Sequence, residues 1–160
     1  LDPMLDEADE APDFALATDD GTTLKLSALK GRPLVVYFYP KDDTSGCTTE
    51  AKDFTGMIGA FRAAGAEVIG ISPDSAASHA KFKKKHALDV RLAADVEKSV
   101  AESYGVWVEK SMYGRKYMGV ERSTFLIDAK GRIARCWRKV KVPGHAAEVL
   151  AAVEALAGRK

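Results

Sequence analysis

The chain has 160 residues, 46% hydrophobic and 29% charged, with Lys+Arg 24 against Asp+Glu 23 for a formal net charge of +1. That length can bury a core without disulfide staples, and the balanced charge leaves no overall field to recruit nucleic acid or an acidic membrane surface. No apolar run approaches the ~18 residues of a membrane span, and two cysteines are too few for a secreted disulfide scaffold, so the reading is of a cytoplasmic protein with free thiols. The acidic start DEADEAPD (6–13) has the wrong sign for a secretory signal. Leu1-Asp2-Pro3 ahead of Met4 reads as a cloning scar, and residues 4–160 read as a single domain.

Leu34 to Tyr39, LVVYFY, is a continuous β-branched and aromatic run, the pattern of a buried strand, and Pro40 ends it. From Thr48 to about Ala64, Phe54, Ile58 and Phe61 recur at helical spacing, and Gly65 stops the helix. AEVIGIS (66–72) reads as a second buried strand, and SPDS (72–75) supplies the start of a helix running to about His86. A short strand at Val90 to Leu92 and a helix from Glu97 to Tyr104 follow. RSTFLID (122–128), the turn AKGR and IARCWRKV (133–140) predict a β-hairpin, and a helix from about His145 to Ala157 closes the chain. The order β-α-β-α, hairpin, α predicts an α/β thioredoxin-like fold: a central mixed β-sheet flanked by helices, with an N-terminal extension and a helical insertion before the C-terminal hairpin.

The joint YFYPKDDTSGCTTE places Cys47 where a helix begins, at the carboxyl edge of the sheet. The first turn of a helix has unpaired N–H groups and the positive end of the dipole, which favour a thiolate over a thiol. An ordinary cysteine, with a pKa of ~8.5, is only a few per cent ionised at neutral pH, so any such bias changes reactivity strongly. Thr44, three residues earlier, is close enough to donate to the sulfur or to an oxygen beside it. Gly46 permits close approach, and Pro40 can wall the sulfur from water.

The motif P-x-x-x-T-x-x-C (Pro40, Thr44, Cys47) resembles that of the peroxiredoxins, in the bacterioferritin comigratory protein or peroxiredoxin Q branch. The likeness extends over APDFAL (11–16), GCTTE (46–50), YGVWVEKSMYGRKYMGVERSTFLID (104–128) and WRKVKVPGH (137–145). It implies a thiol peroxidase acting on hydrogen peroxide and organic hydroperoxides without a cofactor. Cys47 would attack the O–O bond and become a sulfenic acid. Thr44 would hydrogen-bond the peroxide, Pro40 would shield the pocket, and Arg122 would favour the thiolate and orient the oxygens. Glu50, one helical turn beyond Cys47, would tether an arginine, although a first-turn acid complementing the helix dipole is an equally simple reading of it.

The chain departs from the family pattern where many relatives carry a resolving cysteine. One such position is Lys52, in TTEAKDF, and the second falls within SAASHAKFKKKHA (75–87), which holds no cysteine. Ser45 also stands where relatives often have proline. Two routes remain: an external reductant (thioredoxin, glutaredoxin or a small thiol) acting on a one-cysteine enzyme, or resolution by Cys136. Cys136 falls inside a predicted strand, where a free cysteine usually behaves as a small buried hydrophobe, so the first route is the better reading.

The remaining features carry blander readings. KFKKKH (81–86) is read as a solvated face near a helix C-terminus, and His79, His86 and His145 lack ligand spacing with the cysteines, so no metal is expected. Trp107 and Tyr113 are read as loop residues that pack on or wall the pocket. A disulfide reductase would need C-x-x-C, and Glu50 occupies the second position. A peroxide sensor that relays oxidation to a partner thiol, and a non-redox holdase or binding module, remain as rivals. A monomer is expected.

Overall fold

The computed structural model describes residues 5–158; the expectations for Leu1-Asp2-Pro3 and Met4 fall outside the described residues. Among the described residues nine strands run in chain order: β1 Ala15–Thr18, β2 Thr23–Lys25, β3 Leu34–Phe38, β4 Glu67–Ser72, β5 Arg91–Ala94, β6 Trp107–Met112, β7 Arg115–Val120, β8 Ser123–Ile127 and β9 Ile133–Trp137. Five α-helices accompany them: α1 Ser45–Gly56, α2 Ile58–Ala63, α3 Ala76–His86, α4 Ser99–Ser103 and α5 His145–Ala157.

Seven strands form one mixed sheet in the order β2-β1-β5-β4-β3-β8-β9. The centre is parallel, with β4 between β3 and β5, while β8 pairs antiparallel with β3 through Leu34↔Ile127 to Phe38↔Ser123. β3 is buried on both faces because its side chains alternate between two cores. Leu34, Val36 and Phe38 join Ile69, Ile71, Phe125 and Tyr104 on one side. Val35, Tyr37 and Tyr39 face the other way, against Phe54 of α1, Phe61 of α2, Phe82 of α3 and Val149 of α5. A close fit fixes the second core. Tyr37 stacks on Phe54 at 4.7 Å between ring centroids, and a Cβ at its register partner Gly70 would stand 2.6 Å from the tyrosine ring.

The thioredoxin-like α/β fold is therefore as expected, and three local expectations need correction. The helix read as continuous from Thr48 starts three residues earlier, at Ser45, and breaks at Met57 into α1 and α2. The break lies between Gly56 and Gly59, which weaken a helix without interrupting the apolar spacing of Phe54, Ile58 and Phe61. The insertion before the C-terminal hairpin is mainly a β-ribbon, β6 paired with β7 from Trp107↔Val120 to Met112↔Arg115, and its only helix is the short α4. Trp107 lies in β6 and Tyr113 turns the ribbon, 99% exposed, so Tyr113 walls no pocket. Among the described residues no helix is long and apolar enough to cross a membrane.

Candidate active site

The loop 40–44 joins β3 to α1. Tyr39 makes the last sheet bond, its amide donating to Ile71 O at 3.1 Å, and Pro40 follows without a donor of its own. Asp43 takes a left-handed turn (φ 62), and Thr44 stands as N-cap in extended conformation. Its carbonyl accepts the first helical bond, from the Thr48 amide at 2.9 Å. Cys47 is thus the third residue of α1, among the amides that have no carbonyl partner within the helix.

The Cys47 side chain points into the core and is 2% exposed. Arg122, in the two-residue link between β7 and β8, reaches it. One guanidinium arm, Nη2, donates to Cys47 Sγ at 3.3 Å, and the other, Nη1, donates to Glu50 Oε1 at 2.6 Å. Gly46 makes room for that approach: a Cβ there would lie 3.2 Å from Arg122 Nη2. The sequence reading put Arg122 at the Cys47 sulfur and gave Glu50 an arginine to tether; the Arg122 guanidinium contacts both. A cationic donor is thus aimed at the sulfur.

Glu50 is 2% exposed and stands beyond the first turn of α1, which holds no acid, so its reading as a first-turn acid complementing the dipole does not apply. Burial pushes its carboxyl up to about 7, and the charge and hydrogen bonds of Arg122 only partly oppose this. Its second oxygen, Oε2, is buried with no hydrogen-bond partner among the described residues. Burial pulls against the Arg122 charge, but Glu50 and Cys47 outweigh it and hold the guanidinium above its ordinary range.

Thr44 differs from expectation in detail. Its hydroxyl donates to Lys41 O at 2.9 Å rather than to the sulfur. That leaves the oxygen lone pairs able to accept a hydrogen bond from another molecule. Pro40 is half-buried directly after the strand.

Two further contributors escaped the sequence reading. Tyr37 stacks beneath the site, and its hydroxyl is held in the protonated form by burial and by the negative charges of Glu50 and Cys47. Lys110 on β6 lies within electrostatic range of the site. Burial and the Arg122 charge draw its ammonium down, while Glu121 and Cys47 act the other way. No local motif marks Lys110; only the ribbon geometry brings it near, its stem packing over Gly119.

Cys136 occupies a different environment. It lies on β9 opposite Phe125 and packs against the core on the far face of the sheet from Cys47. Burial pushes its thiol up, and Arg138 opposes this only in part. Among the described residues no group of three or more His, Cys, Asp and Glu side chains is gathered to hold a metal ion.

Residues 8–136 match the AhpC/TSA family. The chain is 53% identical to peroxiredoxin Bcp of Bacillus subtilis over 141 residues, covering 88% of this chain and 90% of that protein. It is 38% identical to peroxiredoxin Bcp of Escherichia coli over 141 residues, with the same coverage. A solved structure of Xanthomonas campestris bacterioferritin comigratory protein, studied for its alkyl peroxide reduction activity, superposes with a TM-score of 0.88. The two are 43% identical, over 98% of this chain and 99% of that one. Xanthomonas campestris peroxiredoxin Q superposes with a TM-score of 0.86 at 45% identity, covering 90% and 91%. With a thiol, a guanidinium and a buried carboxylate joined at the head of α1, and relatives of this kind along most of its length, the chain belongs to the AhpC/TSA family as a Bcp/peroxiredoxin Q peroxiredoxin, and is a thiol peroxidase.

Proposed function

We propose that Cys47 is the peroxidatic thiolate and that an external thiol, rather than Cys136, completes the cycle. The observation that carries this reading is the forked Arg122, which gives one arm to Cys47 Sγ and the other to Glu50. The thiolate attacks one oxygen of a hydroperoxide. An S–O bond forms as the O–O bond breaks, the attacked oxygen keeps its hydrogen as the sulfenic acid, and the departing oxygen leaves as water or an alcohol on taking a proton from solvent water. Arg122 faces the negative charge that moves from sulfur to the leaving oxygen. Thr44, its own proton committed to Lys41 O, accepts a hydrogen bond from the peroxide O–H and so orients it, and Pro40 limits water at the sulfur.

Cys47 is left as a sulfenic acid. A first external thiol attacks that sulfur, expelling water and forming a mixed disulfide. A second displaces it, returning the Cys47 thiolate and an oxidised reductant. Resolution by Cys136 is disfavoured because the two cysteines pack on opposite faces of the sheet, so a bridge would require opening the strands between them. Thioredoxin, glutaredoxin or a small thiol fits the reductant role. Both hydrogen peroxide and organic hydroperoxides are proposed as substrates, the latter in line with the Xanthomonas protein. A monomer acting in the cytoplasm completes the reading.

The test is peroxide consumption with dithiothreitol as reductant. Cys47→Ser is expected to abolish it and Cys136→Ser to leave multiple turnover intact. A stoichiometric burst followed by arrest in the wild type would contradict turnover by an external thiol and favour a peroxide sensor.

A further inference from the structure

The loop 40–44 decides where α1 begins, and it makes few backbone bonds of its own. Its side chains bind it instead to a part of the molecule that the chemistry does not use. Asp42 is buried, and its carboxylate takes three donors: Tyr39 Oη to Oδ1 at 2.6 Å, Ser78 Oγ to Oδ2 at 2.8 Å and His79 Nδ1 to Oδ2 at 2.7 Å. The Asp42 amide donates to Asp74 Oδ2 at 2.8 Å, which also takes the Ser72 hydroxyl at 2.6 Å. His79, 0% exposed on α3, reaches the Ala93 carbonyl of β5 with Nε2 at 3.0 Å. The imidazole thus spans the Asp42 carboxylate and the Ala93 carbonyl, with Tyr39 Oη also 3.3 Å from Nδ1. None of these groups contacts Cys47 or Arg122 in the bonds described. Asp42 nevertheless lies two residues before the N-cap Thr44 and five before Cys47.

We propose that Asp42 and His79 are positioning residues of the peroxidase. Through this buried pair, α3 and β5 fix the loop that starts α1, and so fix Cys47 Sγ and the free first-turn amides relative to Arg122. A misplacement of about 1 Å at a reacting centre costs about 100-fold in rate, which makes a rigid external anchor for a short loop valuable. A buried carboxylate saturated by three donors is such an anchor, since loss of any one leaves it partly unsatisfied. The inference rests on Cys47 being the reacting thiol.

The test measures the second-order rate of Cys47 sulfenic acid formation with hydrogen peroxide, per folded molecule and well below each variant's melting temperature. His79→Ala and Asp42→Asn are expected to lose about 30-fold or more, and the double variant to be no worse than the worse single one. His79→Asn, whose amide nitrogen stands where Nδ1 stood, is expected to return to within about fivefold of wild type. A purely structural role would lower the melting temperature and leave the rate per folded molecule unchanged. Should His79→Ala fail to fold, Ser78→Ala removes one donor from a half-buried helix position and must still lower the rate about threefold. A wild-type rate in folded His79→Ala, Asp42→Asn or Ser78→Ala overturns the proposal, as does a double variant whose loss is the product of the single losses. Absence of sulfenic acid at Cys47 in the wild type would instead refute the assignment of the reacting thiol.

Discussion

Cys47 and Cys136 carry the same functional group on opposite faces of the sheet, and the protein treats them in opposite ways. Cys47 stands in the first turn of α1 with a guanidinium arm 3.3 Å from its sulfur. Cys136 stands in mid-strand opposite Phe125, where burial favours the neutral thiol. Exposure does not explain the contrast, because Cys47 is the more buried of the two. The lesson is that reactivity at a buried thiol comes from where backbone dipoles and a fixed charge point, and little from access alone. Each change below tests one of the features that separate the two sites.

The largest effect is expected at the guanidinium. Arg122→Lys keeps the charge and loses the fork, so it cannot serve Glu50 and Cys47 together. Peroxide reduction should fall about 100- to 1,000-fold in kcat/KM, as for removal of one donor from developing charge, while the fold persists by circular dichroism.

Glu50 gives the next effect, on stability against pH. Its folded-state pKa, about 7, lies above the ordinary 4.5, so the folded protein holds a proton that the unfolded chain releases. Its contribution is complete below about pH 4.5 and is lost as pH rises through about 7, by on the order of 3 kcal/mol. Urea unfolding at pH 5 and pH 8 should show this loss in the wild type and a clearly smaller one in Glu50→Gln.

Gly46→Ala should act more weakly. The new Cβ meets Arg122 Nη2 at 3.2 Å and moves the guanidinium by a few tenths of an ångström, for a several-fold loss of kcat/KM with little change in melting temperature. Cys136→Ser should be the mildest, within about twofold of wild-type turnover with a small-thiol reductant, because its sulfur takes no part in the reaction.

Much of this contrast is legible in the sequence because its causes are local. A β-branched and aromatic strand, a proline, a polar loop and a helix start put Cys47 in place within about a dozen residues. Long-range features are less legible. Arg122 and Glu50 can be named, but only through family likeness, since 72 residues separate them. The anchoring of Asp42 by His79, 37 residues away, leaves no periodic trace at all. The hairpin of β1 and β2 is too short for alternation to reveal, although Asp20-Gly21 is the turn signal that could have found it. The β6–β7 ribbon turns through Tyr113-Gly114, both at positive φ, and a tyrosine at the first position hides the usual Asn-Gly or Asp-Gly signature. The break at Met57 went unseen because the apolar face continues across it.

The most direct test of the contrast is mass spectrometry of the wild-type protein after one equivalent of hydrogen peroxide, with a sulfenic-acid probe present and reductant absent. One probe per chain, located at Cys47, with Cys136 still a free thiol, is the predicted result. A Cys47–Cys136 disulfide within the chain, or label at Cys136, would contradict it.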